Sequence, residues 1–377
     1  SVPAMIAEEL EVSLEQVKIL QTGGEKEFGG QTAGGSNSIR GHYQKLRTVG
    51  AAAREMLILA AAARWKAPVT DCHASDGVVY HKPTGKSFTY GELAADAGKL
   101  PVPQHPQLKD PKDFKILGKN YPRPDVPLKV SGKAVYGIDV ELPGMLYASV
   151  AHCPVFNSKL ISYDDSDTMR IKGVKKLVRF QRALGAHKYD AIAVIADTYW
   201  AAYQGKLALK VKWDYQGNDR FDTETYEQSL RDMAEKEGQV VHNEGDFETA
   251  FHSAPAQLTS FYELPMLSHS PMEPQNCTAQ WHGKDQLEIW VSSQGADRVK
   301  KDITRNIEIP AENIKVNILF SGGGFGRRLY NDYAVEAASI ARELEAPVKM
   351  IWSREEDTQL GPFRPPTFSA MKAGLAA

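Results

Sequence analysis

Four glycines and a phenylalanine fill five consecutive positions, Gly322, Gly323, Gly324, Phe325 and Gly326, and Arg327 and Arg328 follow at once. So many glycines cannot sit inside a helix or a strand without a heavy entropic penalty, so the stretch must be a loop. Its flanks say which kind. Upstream, Ile314, Val316, Ile318 and Phe320 alternate with Lys315, Asn317 and Leu319, the period of a strand with one apolar face. Downstream, Asn331 and Asp332 are capping residues for a helix with a small-residue face of Ala334, Ala337, Ala338, Ala341 and Leu344. Strand, glycine loop and helix in this order turn backbone N–H groups toward an anion.

Two familiar anion loops are excluded. The pattern G-x-x-x-x-G-K-[ST] cannot be placed, and G-x-G-x-x-G would need glycine where Arg327 or Leu329 stands. A nicotinamide dehydrogenase fails on the same missing fingerprint. Glycines around a central phenylalanine, with arginines after them, point instead to a large anionic cofactor held by backbone amides beside an aromatic-lined pocket.

The rest of the chain predicts mixed α and β structure. A helix over the first ten residues is followed by a strand at Val17 to Leu20. The glycines from Gly23 to Gly41 read either as a flexible loop or as a second anion cradle, because they run into a helix over Tyr43 to Trp65 whose alanines favour helix strongly. A hairpin turns at Pro83, Thr84 and Gly85, and seven prolines between Pro101 and Pro127 read as an extended linker. Strands are predicted at Ala134–Val140, Leu146–Ala151, Val174–Phe180, Ile192–Ala196 and Leu209–Trp213, with a helix over Thr198–Leu209. A polar helical connector follows at Gly217 to Gln239. Further strands fit Gln257–Leu264, Cys277–Trp281, Leu287–Val291 and Val348–Trp352, and Ser353 with Glu356 forms a capping box. His152 beside Cys153 reads as packing, since no metal-ligand spacing surrounds it. His269 and Glu273 admit an acid–base reading or a proline-fixed turn.

Composition narrows the function. The net charge of −2 gives no bulk case for nucleic acid, and no apolar run is long enough to cross a bilayer as a helix. Cys72, Cys153 and Cys277 are too scattered for a disulfide framework, a zinc ribbon or an iron–sulfur ligand set. The chain opens without Met on a helical pattern and closes on a strand just begun at Phe368 to Ala377. It is therefore expected to be an N-terminal-half piece of a longer polypeptide.

Ser321 to Arg328 resembles the pterin-binding loop of the xanthine oxidase/aldehyde oxidase family of molybdenum hydroxylases, in particular the β (large) chain of the bacterial isoquinoline 1-oxidoreductase type. Met5 to Leu10, Thr32 to Gly41, Gly50 to Leu57, Tyr136 to Asp139 with Leu142 to Tyr147, Pro271 to Ala279, and Trp352 to Asp357 carry the resemblance along the whole chain in order. It implies an α+β fold, with an α/β-hammerhead domain over 128–240 between two parts of a molybdopterin-binding domain, 1–100 and 245–377, and a linker at 101–127. It implies that Gly323, Gly324, Phe325, Gly326 and Arg327 lie at the cofactor, with the Phe325 ring toward substrate. Gln294, 31 positions before Phe325, resembles a glutamine that hydrogen-bonds a molybdenum oxygen. Gly34, Gly35, Ser36 and Ser38 resemble a second pterin/phosphate loop.

The cofactor so implied is a molybdopterin-type molybdenum cofactor, plain or as the cytosine dinucleotide, held by its pterin with no direct protein ligand to the metal. The implied activity is oxidation of aldehydes or hydroxylation of N-heteroaromatic compounds with oxygen from water. The alternative is a non-catalytic cofactor-binding or assembly module with structural glycine loops. Leu329 stands where xanthine-type enzymes carry a substrate-binding glutamate, which argues against purines, and Arg327-Arg328 replaces the Gly-Lys of many relatives. The family's catalytic glutamate is expected beyond Ala377, so the chain alone is expected to be inactive. Implied partners are the remaining C-terminal half or a second chain, a [2Fe-2S] small subunit and a cytochrome c subunit. The implied location is periplasmic or on the periplasmic side of a membrane, with the cytoplasm as the alternative.

Overall fold

The computed structural model describes residues 2–185 and 187–375. The chain forms two compact units, one up to Thr22 together with Thr32–Ala134, the other Gly23–Gln31 together with the chain from Val135 onward.

The first unit contains helices α1 (Val2–Leu10), α2 (Asn37–Arg40) and α3 (Tyr43–Trp65), strands β1 (Cys72–Ser75), β2 (Val78–His81) and β3 (Ser87–Thr89), and helices α4 (Tyr90–Ala97) and α5 (Val126–Val130). The strands make an antiparallel sheet in sequence order. Ala60, Ala61 and Ala62 of α3 pack with Leu57, Cys72, Val79 and Leu93 in the core. At Gly50 a Cβ would lie 2.6 Å from the Ile6 carbonyl oxygen, so glycine is what lets α3 pass against α1.

Two corrections arise here. Val17 to Leu20 forms no strand, and Ile19 and Leu20 are exposed. The proline-rich stretch is not a free linker, because two buried carboxylates of α1 hold it. Glu8 accepts backbone N–H bonds from Lys115, Ile116 and Leu117 at 2.6–3.1 Å. Glu9 accepts from Lys109 N, and from Arg47 Nε at 2.8 Å and Arg54 Nη1 at 3.2 Å. Burial opposes the charge on Glu8, yet the Lys109 ammonium and the three amides hold its carboxyl below the ordinary range.

The second unit runs through β4 (Leu146–His152), β5 (Lys159–Asp164), β6 (Val174–Leu184), β7 (His187–Ala196), α6 (Tyr199–Ala208), β8 (Lys210–Asp214), α7 (Thr223–Ala234), α8 (Phe247–Ser253) and β9 (Ala256–Leu264). It continues with β10 (Asn276–His282), β11 (Gln286–Val291), α9 (Ala296–Ile307), β12 (Ile314–Ile318), α10 (Asp332–Arg342), β13 (Val348–Ile351), α11 (Arg354–Gln359) and β14 (Thr367–Leu375). Its main sheet has seven strands in the order β12-β11-β10-β13-β4-β7-β6. β10 and β11 form a hairpin with Cys277 opposite Val291, β12 runs parallel to β11, and β13 parallel to β4. Ala334, Ala337, Ala338 and Ala341 of α10 are fully buried in the core with residues of this sheet.

The expected division at 240–245 separates no bodies within this unit, because β4, β6 and β7 share the sheet with β10 to β13. Ala134–Val140 is likewise not a strand but carries a single 3-10 turn, Gly137–Asp139. β9 and β14 pair with each other in an antiparallel ribbon whose side chains are mostly exposed; of the strand expected at Phe368 to Ala377, Ala376 and Ala377 lie outside the described residues.

His152 sits at the end of β4, buried between two carboxylates the linear sequence keeps far away, with Nε2 3.2 Å from Glu336 and Nδ1 3.2 Å from Glu356. Burial alone would lower its pKa, but Glu336 and Glu356 outweigh burial and raise it above the ordinary 6.5. The imidazolium therefore contributes stability that is present below about pH 6.5 and lost as pH rises through the folded-state pKa. The thermal midpoint of the chain should fall from pH 6 to pH 9, and His152→Gln should flatten that slope; an unchanged slope in the variant would refute the assignment. In the first unit, Glu9→Gln should cost about 3 kcal/mol in urea unfolding, because it leaves the Arg47 guanidinium short of its buried counter-charge.

Candidate functional site

β12 delivers the chain to the glycine loop, and α10 receives it. Between them a 3-10 turn, Arg327–Leu329, closes the loop. The loop is held from below by side chains rather than by a ladder. Glu273, buried, accepts from Gly322 N at 2.8 Å and Arg328 Nη2 at 3.1 Å through Oε2, and from Ile138 N at 3.1 Å and Asn276 Nδ2 at 2.9 Å through Oε1. A Cβ on Gly322 would lie 2.5 Å from that of Glu273. Arg328, fully buried, donates to the carbonyl oxygens of Gly323, Ser292 and Glu273 at 2.8–3.2 Å. Tyr333 donates its hydroxyl to Ser292 O at 2.6 Å, and burial pushes its pKa up to about 12, so it stays a donor.

Gln294 wedges into the loop from the side. Its Oε1 accepts from Gly326 N at 3.1 Å, and its backbone N–H donates to Arg328 O at 3.0 Å. A Cβ on Gly324 would lie 2.9 Å from the same Oε1. Gly323 and Gly326 have φ near +100°, and Phe325, at +52°, is a non-glycine residue in the left-handed region. Phe325 is 64% exposed, so the strained backbone presents an apolar residue outward. Arg364 Nη2 donates to the Phe325 carbonyl oxygen.

Among the described residues, the successive N–H groups of Gly323, Gly324 and Phe325 make no hydrogen bond within the chain. Three unpaired amides on a backbone that alternates hand form a concave anion nest. The geometry therefore fits a large anionic cofactor, which would be taken by main-chain donors while the side chains hold the loop's shape.

Arg327 needs a correction. Read as a cofactor-binding residue, it turns its guanidinium into the protein, where Nη1 and Nη2 form a bidentate pair with Asp332 at 2.7 and 2.9 Å. Arg182 adds a bond to the same carboxylate at 3.0 Å. The two guanidinium groups hold Asp332 below the usual carboxylate range despite its burial. Trp352 stacks on both, with ring-to-Cζ distances of 5.2 and 4.8 Å. Asp332 thus starts α10 as a counter-ion, not as a side-chain cap. Glu273, consumed by four donors, is a latch rather than a general base. His269 stands near Gly326, and its pKa is lowered by burial and by Arg364 and Arg327, so it is neutral at pH 7.

Gly34, Gly35, Ser36 and Ser38 belong to the first unit. Gly35 and Ser36 both have positive φ, Gly34 O accepts from Asn37 N, and Ser38 lies within α2. A Cβ on Gly35 would meet nothing within 4 Å, so this turn is open where the Gly322 loop is packed.

Residues 232–377 match the model of the molybdopterin cofactor-binding domain. The β chain of isoquinoline 1-oxidoreductase from Brevundimonas diminuta is 29% identical over 97% of this chain and 52% of its own length. The molybdenum-binding subunit of an Escherichia coli K12 aldehyde oxidoreductase is 28% identical over 74% of this chain and 39% of its own. Residues 232–377 thus carry a similarity to the molybdopterin cofactor-binding domain, and most of the chain is similar to subunits of isoquinoline and aldehyde oxidoreductases. It spans about half the length of the curated relatives it matches, or less. Among solved structures, the fold is similar to aldehyde oxidoreductase from Desulfovibrio gigas (TM-score 0.53, 18% identity, 72% of this chain and 34% of that one) and quinoline 2-oxidoreductase from Pseudomonas putida 86 (0.51, 18%, 69% and 37%).

The sequence motif includes Arg328 but not its role. Ser292 and Tyr333, which hold the loop with it, carry no motif and are identified only by their burial and hydrogen bonds. The checkable consequence is that Arg328→Met, which strands the buried Glu273 charge, costs about 3–5 kcal/mol in urea unfolding. Glu273→Gln combined with Arg328→Met should cost less than Arg328→Met alone, and a double-mutant cycle measures the difference.

Proposed function

We propose that this chain supplies part of the molybdopterin site of an oxidoreductase that oxidises aldehydes or hydroxylates N-heteroaromatic compounds, with water as the oxygen source. The observation that carries the reading is the nest of Gly323, Gly324 and Phe325 amides within the segment that matches the molybdopterin cofactor-binding domain. When bound, the molybdenum cofactor supplies two-electron redox chemistry at a carbon centre. The chain's own part is positional. Loop amides would take the anionic cofactor, Gln294, which fixes Gly326, would hydrogen-bond it, and the exposed Phe325 would order a flat substrate. Gly34, Gly35, Ser36 and Ser38 would take a second polar part of the cofactor.

In this reading β4 to β8 form the α/β-hammerhead part of the second unit, with β4, β6 and β7 sharing its main sheet, and the segments 1–100 and 245–377 would both serve the cofactor. The names of the relatives, among them a nicotinate dehydrogenase chain of Pseudomonas putida, support a heteroaromatic or aldehyde substrate. The general base, an expected glutamate, and the iron–sulfur centre that drains the electrons would come from polypeptide outside this chain, the latter from a [2Fe-2S] subunit with a cytochrome c partner downstream. A periplasmic setting is part of the same proposal.

Full-length protein expressed in a host that makes the cofactor should hold about one molybdenum and one pterin per chain, read by elemental analysis and by fluorescence of the oxidised pterin. Gly323→Val, which forces a Cβ onto a φ of +99°, should cut the pterin content about tenfold or more. A folded, metal-free and pterin-free protein would instead establish the module with structural loops.

A further inference from the structure

A cavity of about 320 Å³ opens in the second unit between α9, the end of β6 and the start of α10. Its size is at the small end for ligand pockets, and its two walls differ in chemistry. One is a face of α9 carrying Arg298, Lys301 and Arg305, spaced so that all three side chains lie on the same side of the helix. The other is apolar and aromatic, with Leu184, Leu329 and Tyr330.

The local acids do not neutralise the cationic wall. Asp332 is occupied by Arg327 and Arg182. Asp302 accepts from Asn331 Nδ2 at 2.8 Å and faces Arg305 at 3.7 Å, while Arg305 also donates to Gly185 O. Arg298 and Lys301 have no carboxylate partner among the described residues, and both are exposed. Uncompensated cations facing an apolar wall suit a ligand with a carboxylate at one end and a flat or aliphatic body at the other. The cavity also adjoins the cofactor nest along the chain, since Leu329 and Tyr330 follow directly on Arg328.

We propose that this cavity is a binding subsite for a small organic carboxylate, with the acid group taken by Arg298 and Lys301 and the body laid against Leu184, Leu329 and Tyr330. As a substrate-selecting subsite it rests on the oxidoreductase reading above. As a binding site it does not, and the test separates the two.

The 377-residue chain is titrated with benzoate, with its neutral isostere benzamide and with inorganic phosphate, followed by calorimetry or ligand-observed NMR. Benzoate should bind with a Kd of about 1 mM or tighter, and benzamide and phosphate at least about tenfold more weakly. The double variant R298Q/K301Q should lose about tenfold in benzoate affinity, whereas K300Q, on the same helix but outside the cavity lining, should leave it unchanged. Because Arg298 and Lys301 are exposed, their replacement keeps the core intact, and circular dichroism verifies it. Equal binding of benzoate and benzamide, or benzoate affinity unmoved in R298Q/K301Q, overturns the carboxylate site. Phosphate binding as tightly as benzoate overturns its apolar half. Absent benzoate binding in a protein whose full-length form carries molybdenum defeats the subsite alone, and retained benzoate binding with no molybdenum defeats the oxidoreductase reading alone.

Discussion

Everything around the glycine loop depends on one buried ion pair, Arg328 with Glu273. Two charges removed from water are expensive, and such a pair is tolerated only if its remaining donors and acceptors are also satisfied. Here they are. The guanidinium takes three carbonyl oxygens besides the carboxylate, and the carboxylate takes two backbone amides and an asparagine besides the guanidinium. Such a pair is weak evidence for stability in itself. Its value lies in geometry, because nearly all of its bonds fix a backbone atom of the loop or of the strand ends beside it.

The result is a division of labour between main chain and side chain. Side chains face inward and set the path of the backbone, while three successive amides are left for an external anion. The glycines serve both ends of that arrangement. Gly322 and Gly324 are required by the closeness of Glu273 and Gln294, and Gly323 and Gly326 by their positive φ. Phe325 is the exception, held at a positive φ where a glycine would rest more easily. The packed residues around the loop hold that strain while Phe325 itself stays exposed.

Local elements are readable in the sequence, and long-range ones stay hidden. The alternation of Ile314, Val316 and Ile318 gives β12, the alanines of α10 give its buried face, and Ser353 with Glu356 gives a capping box that the structure contains. Each of those signals has a range of a few residues. Glu8 and Glu9 carry no sign of their burial, because nothing nearby tells that Arg47, Arg54 and Lys109 will meet them. His152 stands alone in sequence because Glu336 and Glu356 lie 184 and 204 positions on. Arg327 misleads for the opposite reason. It sits beside the glycines, and adjacency in sequence is no guide to direction in space. The glycine loop is legible as a loop, but the turn of its two arginines into the interior is not.

The loop's wiring also bears on how the chain reaches its native state. Glu273 must find Ile138 across 135 positions and Arg328 across 55. Contacts of that separation are entropically costly to close and tend to be made late. The hairpin of β10 and β11 and the helix α10 need only local contacts, so they can be in place while Gly322 to Gly326 still wander. The anion nest is then a product of the final condensation step. A chain arrested before that step would carry most of its secondary structure and still have no cofactor loop, so competence to take up the cofactor would report complete folding more strictly than helix content does.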